Sequence, residues 1–488
     1  MKTVFFRCLV VIALSFVATQ ILTAADAAHF ANGVKVGEVT SESAIVWTRL
    51  TEKPERTRSG IDFLPTEGRG PKARELQWDG SEQIPSGQTL DAMEGSVPGT
   101  AGEVRLQIWH ESDDTPTATR DWTAVDPQRD FTKQWEIDGL QAGSRYRVVV
   151  EGRPTDSESA TATIEATFKT APRADDAASV KFVVVTCGEY PRRDDPENRH
   201  LIYDTMRRQV QPDFFIHTGD IEYYDKADPY SPSEALARFK MNRIFAMPFQ
   251  RAFHNSTASY FMKDDHDTVK NDCWPGTHYG SLTFDRGLEI FREQFPMGEK
   301  TYRTFRHGKD LQIWLVEGRD FRSPNRMKDG PNKTIWGKEQ KQWLKKTMRQ
   351  SDATFKVLVS PTPIVGPDRE SKNDNHANEG FSHEGNEVRE FLSGIDNAFV
   401  ICGDRHWQYH SIDPKTGVRE FACGPSANEH AGGFSEDLRE PMHRYLKIAG
   451  GFLSVHVDRE TDGAPTIKFR HHAPDGEVRN EEVFRDDR

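Results

Sequence analysis

Two patterns of apolar and polar positions divide the chain. From residue 30 to about 172, apolar residues alternate with polar ones in short runs such as "SAIVWTRL", "VRLQIWH", "KQWEIDGL" and "SRYRVVVEG", separated by turn residues. A period of two predicts half-buried strands, and their spacing predicts an all-β, immunoglobulin-like sandwich. The stretch from Thr51 to about Gly102 is rich in Gly, Pro, Glu and Ser, which predicts a long surface excursion from that sandwich. "TFKTAPRADDAASV" then ends a strand and becomes a linker.

From Val180 the strands become continuously apolar and stop on polar residues: "VKFVVVTCGEY", "DFFIHTGD", "LQIWLVEGRD", "FKVLVSPTPIV" and "AFVICGDRHW". Between them lie the amphipathic stretches "NRHLIYDTMRRQV" and "GKEQKQWLKKTMRQS". Apolar strands alternating with such helices predict an α/β domain of layered sheets flanked by helices, with its ligand site beyond the carboxyl ends of the strands. "GFLSVHVDRETDGAPTIKFRHHAPDG" reads as a hairpin closing the sheet. The expected domains are a β-sandwich over 28–172 and an α/β domain over 173–488.

Composition narrows the partners. The chain has 488 residues, 36% of them hydrophobic, with 10 Trp and 29 Phe, enough for the cores of more than one domain. A net charge of -12 repels polyanions, so nucleic acid is not an expected partner. At the start, Lys2 and Arg7 precede an apolar run from Cys8 to Val17 and then small residues, the layout of a signal peptide over 1–27 cleaved after Ala25 or Ala27. The mature protein is therefore expected to be secreted or periplasmic, without a stable membrane span. Cys187, Cys273, Cys402 and Cys423 are too few for a disulfide scaffold.

The candidate chemistry collects at the predicted strand ends. Cys187 follows "VVVT", Asp220 and Tyr223 lie in "HTGDIEYY", and Asp404 and His406 lie in "ICGDRH". "YFMKDDHDTVKNDCW" crowds Asp264, Asp265, Asp267 and Asp272 with His266 and Asn271, and like charges that close need a cation or open water. Thiolate, phenolate and imidazole beside carboxylates and an amide suit two metals of different hardness, a pairing used for displacement at phosphorus.

These motifs resemble the metallophosphoesterase superfamily. "GDIEY" is similar to its GDxxY element, "DDHD" to the variant of GNH[DE] in PhoD-like alkaline phosphatases and phosphodiesterases, and "GDRH" to their version of GHxH. "NGVKVGEVTSESAIVWTRL" is similar to the start of the PhoD N-terminal domain. The resemblance implies a ferric site of Cys187, Asp220, Tyr223 and His406, and a calcium site of Asp220, Asp265, Asn271 and Asp404, with zinc or manganese as alternative metals. A hydroxide between the metals would attack a small phosphoester. His266 would stabilise the phosphoryl oxygens or protonate the leaving group, with Asp267 or Asp264 fixing its tautomer. Arg319, Arg322 and Lys263 are the candidate phosphate ligands, against the plainer readings of structural ion pairs for the arginines and a solvated lysine. Trp274 and Trp407 stand beside the site elements as walls of a cleft or as core.

The sequence departs from the family at "TCGE", Ile221 and Lys263, so a buried packing cysteine is the alternative for Cys187. No motif supplies the superfamily's isolated histidine ligand; Asn375, His376 and His383 lie just downstream of where it belongs. Two other functions compete with phosphoester hydrolysis: hydrolysis of another oxyanion ester such as a sulfate, and a catalytically inactive binding protein. The sequence carries no signal for oligomeric state.

Overall fold

The computed structural model describes residues 27–66, 72–366, 368, 369 and 371–487. The expected signal peptide lies outside the described residues except for its last position.

The alternating N-terminal runs form two antiparallel sheets. One orders Val34–Gly37, Ser43–Arg49 and Thr132–Asp138; the other orders Ala118–Ala124, Glu103–His110, Arg145–Arg153 and Ala162–Lys169. Their period of two puts Val104, Leu106, Ile108, Val148 and Val150 into one apolar cluster with Val36, Val46 and Ile137, while Arg105, Gln107 and Arg147 point away from it. The segment 52–102 is more than a surface excursion. It buries Trp78, Gln83, Met93 and Val97. Trp78 packs edge-on against Tyr279 at 5.4 Å, and the Gln83 side chain exchanges hydrogen bonds with both backbone groups of Tyr230 at 2.8 and 2.9 Å. Its polar composition concealed these few anchoring residues.

The rest of the chain builds two larger sheets. A six-stranded sheet orders Ala258–Phe261, Phe214–His217, Val180–Val185, Phe452–Arg459, Pro465–His472 and Val478–Arg485, the first three parallel. A seven-stranded sheet orders Arg303–His307, Leu311–Leu315, Phe355–Ser360, Ala398–Cys402, Arg419–Cys423, Gln408–Ile412 and His443–Lys447, with four parallel strands from Leu311–Leu315 to Arg419–Cys423. The expected hairpin is present, and Val478–Arg485 adds a strand to it.

Alternate residues of these strands go to different cores. Phe182, Val184, Ile216, Ile313, Val357 and Ile401 share one cluster, which continues into the N-terminal sheets. Val183, Val185 and Phe215 pack instead with helices Glu234–Phe245, Pro248–His254 and Phe284–Gln294. Trp314, Leu358 and Val400 pack with Gly337–Gln350 and Ser382–Ser393. Strands buried on both faces read as continuous apolar runs for this reason.

The N-terminal sheets are keyed onto the larger body. The Trp47 indole donates to Glu293 O at 2.8 Å. Lys35 donates to Gln294 O at 3.0 Å, with its ammonium 3.4 Å from the Trp47 ring centroid and 3.9 Å from that of Phe245. Burial pulls the Lys35 pKa well below its ordinary value, and the aromatic faces supply part of the lost hydration. The carboxyl edges of the two larger sheets meet at a bridge between Thr186 and Pro425, where Ser426 donates to Thr186 O at 2.9 Å.

Candidate metal centre

Short loops leaving parallel strands of both sheets bring the expected donors together at that edge. Cys187 follows Val180–Val185, Asp220 and Tyr223 follow Phe214–His217, residues 263–272 follow Ala258–Phe261, and Asp404 and His406 follow Ala398–Cys402. Cys187, Asp220 and Asp404 have φ of 53, 54 and 62°, the left-handed region that non-glycine residues seldom adopt and that concentrates at functional sites. Gly219 has φ 109°, and a Cβ there would come 2.6 Å from Asp264 N, so the turn before Asp220 has room only for glycine.

Asp220 is the hub. Its Oδ2 lies 3.6 Å from Cys187 Sγ and 3.3 Å from Tyr223 Oη, and Tyr223 Oη lies 3.2 Å from His406 Nε2. Three groups of donor atoms, each mutually within 4.8 Å, share this residue: Cys187, Asp220 and His406; Asp220, Asp265 and His266; Asp220, Asp264 and Asp404.

Burial dominates the electrostatics. It raises the pKa of Cys187, with the Asp220 charge adding to the effect, and raises those of Asp220 and Tyr223 while lowering that of His406. Surrounded by protein alone, these groups are pushed toward neutrality, and Asp220 Oδ1 and Asp264 Oδ2 are buried without a hydrogen-bond partner. A multivalent cation offsets the penalty on the thiolate, carboxylate and phenolate, suits the neutral imidazole that burial already favours at His406, and satisfies the unpaired carboxylate oxygens, so the residues present fit a metal.

A second layer orients the donors. Burial works against charge on Asp265, but Arg319 and His266 outweigh it and hold the carboxyl below its usual range. The Arg319 guanidinium reaches Asp264 Oδ1 at 2.5 Å and Asp265 Oδ2 at 3.4 Å. Burial likewise lowers the His266 pKa, but Asp225, Asp265 and Asp220 overcome it and raise the value to about 10. Asp225 Oδ1 lies 2.6 Å from His266 Nδ1, while its Oδ2 accepts from Asn271 N at 2.9 Å.

The donors open into a cleft of about 320 Å³ whose walls include His266, Asn271, His430 and Trp407. Arg192, Lys226, Arg369 and Lys372 also line it, with Arg192 paired to Glu189 at 3.0 Å and Lys372 to Asp374 at 2.8 Å, so a chain of net negative charge sets cations beside the carboxylates of this cleft.

The family model described as PhoD-like phosphatase matches residues 182–451, and that described as PhoD-like phosphatase, N-terminal domain, matches residues 17–172. The chain belongs to the PhoD-like phosphatase family. A solved structure titled "Structure of PhoD" superposes with a TM-score of 0.71 at 17% identity, covering 93% of this chain and 90% of that one. A purple acid phosphatase from yellow lupin seeds superposes with a TM-score of 0.60 at 10% identity, covering 94% of this chain and 74% of that one. At those identities the likeness is one of fold. No curated protein matches the sequence. Family and donor groups together support a metal-dependent phosphoesterase.

Within this PhoD-like fold the other expected site residues are distributed unevenly. Asp265 joins a donor group with Asp220 and His266, whereas Asn271 lines the cleft and, among the described residues, bonds only through its backbone N–H, to Asp225. Asp267 does not touch the His266 ring; its carboxylate is fully buried and accepts from Ile221 N at 3.0 Å and Asp264 N at 2.7 Å, tying two site loops together. The carboxylate against His266 is Asp225, two residues beyond Tyr223. Lys263 is neither solvated nor on the cleft wall: it is buried between Glu317 at 2.6 Å and Asp320 at 2.7 Å. Arg319 is engaged by Asp264 and Asp265, and Arg322 donates to Asn325 Oδ1 at 2.7 Å and to Asp374 O. None of these three cations lines the cleft.

His376 is buried 3.0 Å from Glu384, Asn375 donates to Asp368 and Asp374, and the backbone of His383 bonds to Asp329. The additional histidine at the cleft is His430, its ring centroid 4.1 Å from that of His406 and its Nε2 3.5 Å from Glu189. It follows Arg419–Cys423, whose contribution to the sheet edge the apolar pattern left unmarked. Asp272 donates its backbone N–H to Asp265 Oδ2 at 2.6 Å from a left-handed position, φ 58°, and so completes the acidic loop. Trp407 is buried against Phe434 at 4.8 Å and forms part of the cleft wall. All four cysteines among the described residues are free and buried.

Proposed function

We propose that this chain is a secreted phosphoesterase that hydrolyses phosphomonoesters or phosphodiesters at a two-metal site in its 173–488 domain, with residues 28–172 as the accompanying N-terminal domain. The supporting observation is the sharing of Asp220 by separate donor groups, since one carboxylate with donors on both sides suits two adjacent cations. Cys187, Tyr223, His406 and Asp220 would hold one ion, and Asp220, Asp265, Asn271 and Asp404 the other. The thiolate and phenolate favour ferric iron for the first and the oxygen-rich set favours calcium for the second, with zinc or manganese as alternatives. When bound, the ions supply Lewis acidity and lower the pKa of coordinated water.

The chain's own residues do the remaining work. Asp225 holds His266 through Nδ1, which leaves Nε2 to donate a proton to the departing alkoxide. Lys226, Arg192, Arg369 and Lys372 attract and orient the phosphoryl oxygens. Arg319 acts from behind the site by positioning Asp264 and Asp265. No helix among the described residues is long and apolar enough to cross a membrane.

The test is elemental analysis of purified protein, with rates on p-nitrophenyl phosphate, its bis-ester and the corresponding sulfate, for the parent and Asp220→Asn. Two metal equivalents and phosphoester turnover in the parent, both lost in the variant, are expected. Preference for the sulfate would move the substrate class. Less than one equivalent, or activity that survives Asp220→Asn, would sink the two-metal reading.

A further inference from the structure

Glu222 lies between Asp220 and Tyr223 in "GDIEY", yet its side chain is fully buried, is not part of the cleft wall, and accepts from Tyr223 N through Oε1 at 3.1 Å. Its two oxygens face different buried cations: Oε1 is 3.8 Å from Lys240 Nζ, and Oε2 is 3.9 Å from Arg199 Nη1. Both gaps exceed a hydrogen bond. The shorter bonds of the two cations go to main-chain carbonyls of the site loops. Arg199 Nη2 donates to Gly188 O, next to Cys187. Lys240 Nζ donates to Tyr223 O at 2.5 Å and to Lys226 O at 3.0 Å. The same loops are laced by Gly188 N donating to Asp220 O at 2.8 Å.

We infer that Arg199, Glu222 and Lys240 form a buried cation–carboxylate–cation brace that positions Cys187 and Tyr223 for the ion they share. The reasoning is electrostatic. Each cation clamps the carbonyl of one ligand loop, and the guanidinium of Arg243 works against charge on both of them, so without a counter-charge the clamped carbonyls would be released. Glu222 supplies that counter-charge from within the loop being held. Burial strengthens the dependence: it lowers the Lys240 pKa to about 8 even with Glu222 opposing the fall. The left-handed backbone at Cys187 and Asp220 is a conformation that persists only when its surroundings over-determine it, and the brace is part of those surroundings. Helix Glu234–Phe245 carries Lys240, so a helix remote from the chemistry contributes to the first ion's geometry.

This inference rests on the metal reading above, and the two fail differently. The experiment follows metal loss from as-purified holoprotein into EDTA at 25 °C, by elemental analysis against time, with circular dichroism recorded on the same samples. In the parent, two equivalents leave slowly. In Glu222→Gln, the equivalent bound through Cys187 and Tyr223 is expected to leave about tenfold faster or more, within the range seen when outer-shell partners of metal ligands are changed. The other equivalent should keep its parental rate and the dichroism should be unchanged. Glu222→Asp, which keeps the charge, should restore most of the retention. If Glu222→Gln does not accumulate as folded protein, Lys240→Met is measured the same way, because it removes one clamp and leaves the Arg199–Glu222 pair. Parental release of both equivalents, or loss of both in step with unfolding, would overturn the brace. A parent without metal would instead overturn the metal reading.

Discussion

At the scale of single residues, the acidic crowd in "KDDHDTVKND" separates into distinct tasks. Asp264 and Asp265 each belong to a donor group that shares Asp220 and each meets Arg319, Asp267 knits two loops through backbone amides, and Asp272 supplies an amide to Asp265. His266 takes its orientation from Asp225, a residue outside the cluster. Asp225→Asn is therefore expected to lower kcat about 10- to 100-fold, as outer-shell changes do. Metal content and KM should stay close to parental. Steady-state kinetics with elemental analysis check this, and an unchanged kcat would remove Asp225 from the mechanism. The donors read from the motifs reached one place because strand-end loops of parallel sheets converge. The expected phosphate ligands did not, because Lys263, Arg319 and Arg322 each found a buried acceptor. A cation's neighbours are not written in its local sequence, and the cleft's own cations, Arg192, Lys226, Arg369 and Lys372, come from three separate segments.

At the scale of elements, the apolar strands from Val180 onward were legible because burial on both faces leaves long runs of Val, Ile and Phe. Helix Glu234–Phe245 was not legible. It buries nine of its twelve residues, Lys240, Asn242 and Arg243 among them, so polar residues face inward and the amphipathic period vanishes. The turn after Phe214–His217 shows the opposite case, where one glycine carries the information. Gly219→Ala puts a Cβ against Asp264 N at a backbone angle that an L side chain rarely adopts. It is expected to destabilise the protein by about 1–3 kcal/mol and to displace Asp220. Denaturant melts and metal content test both effects together. Parental stability with full metal loading would show that the turn tolerates a side chain.

At the scale of the whole molecule, the N-terminal sheets and the two larger sheets share one apolar cluster, and polar residues are buried where they join. His307 is one of these. It stacks on Phe214 at 4.1 Å and lies 3.3 Å from Tyr260 Oη, which donates to Val39 O at 2.5 Å. Burial holds its pKa down at about 3, against an unfolded value of about 6.5. Above about pH 6.5 both states are neutral there and this residue's contribution to stability is fully present. Below it the unfolded chain takes up the proton first, so stability is lost as pH falls toward 3, at about 1.4 kcal/mol per pH unit. His307→Gln should make the slope of unfolding free energy against pH shallower by about that amount between pH 4 and 6. Denaturant melts across that range give the slope, and an unaltered slope would mean that His307 is protonated in the folded protein.

The repeating periods, the strand ends and the residue types around "GDIEY", "DDHD" and "GDRH" were all readable along the chain, because period and backbone geometry are local consequences of side-chain shape and polarity. They were enough for the order of the parts and the kind of chemistry. Folding decided which charges met: Asp225 rather than Asp267 at His266, His430 rather than His376 at the cleft, Glu222 between Arg199 and Lys240. Each of those pairings joins segments far apart in sequence, at separations where a displacement of a few ångströms exchanges one partner for another. That is a distance only the packed sheets and helices set.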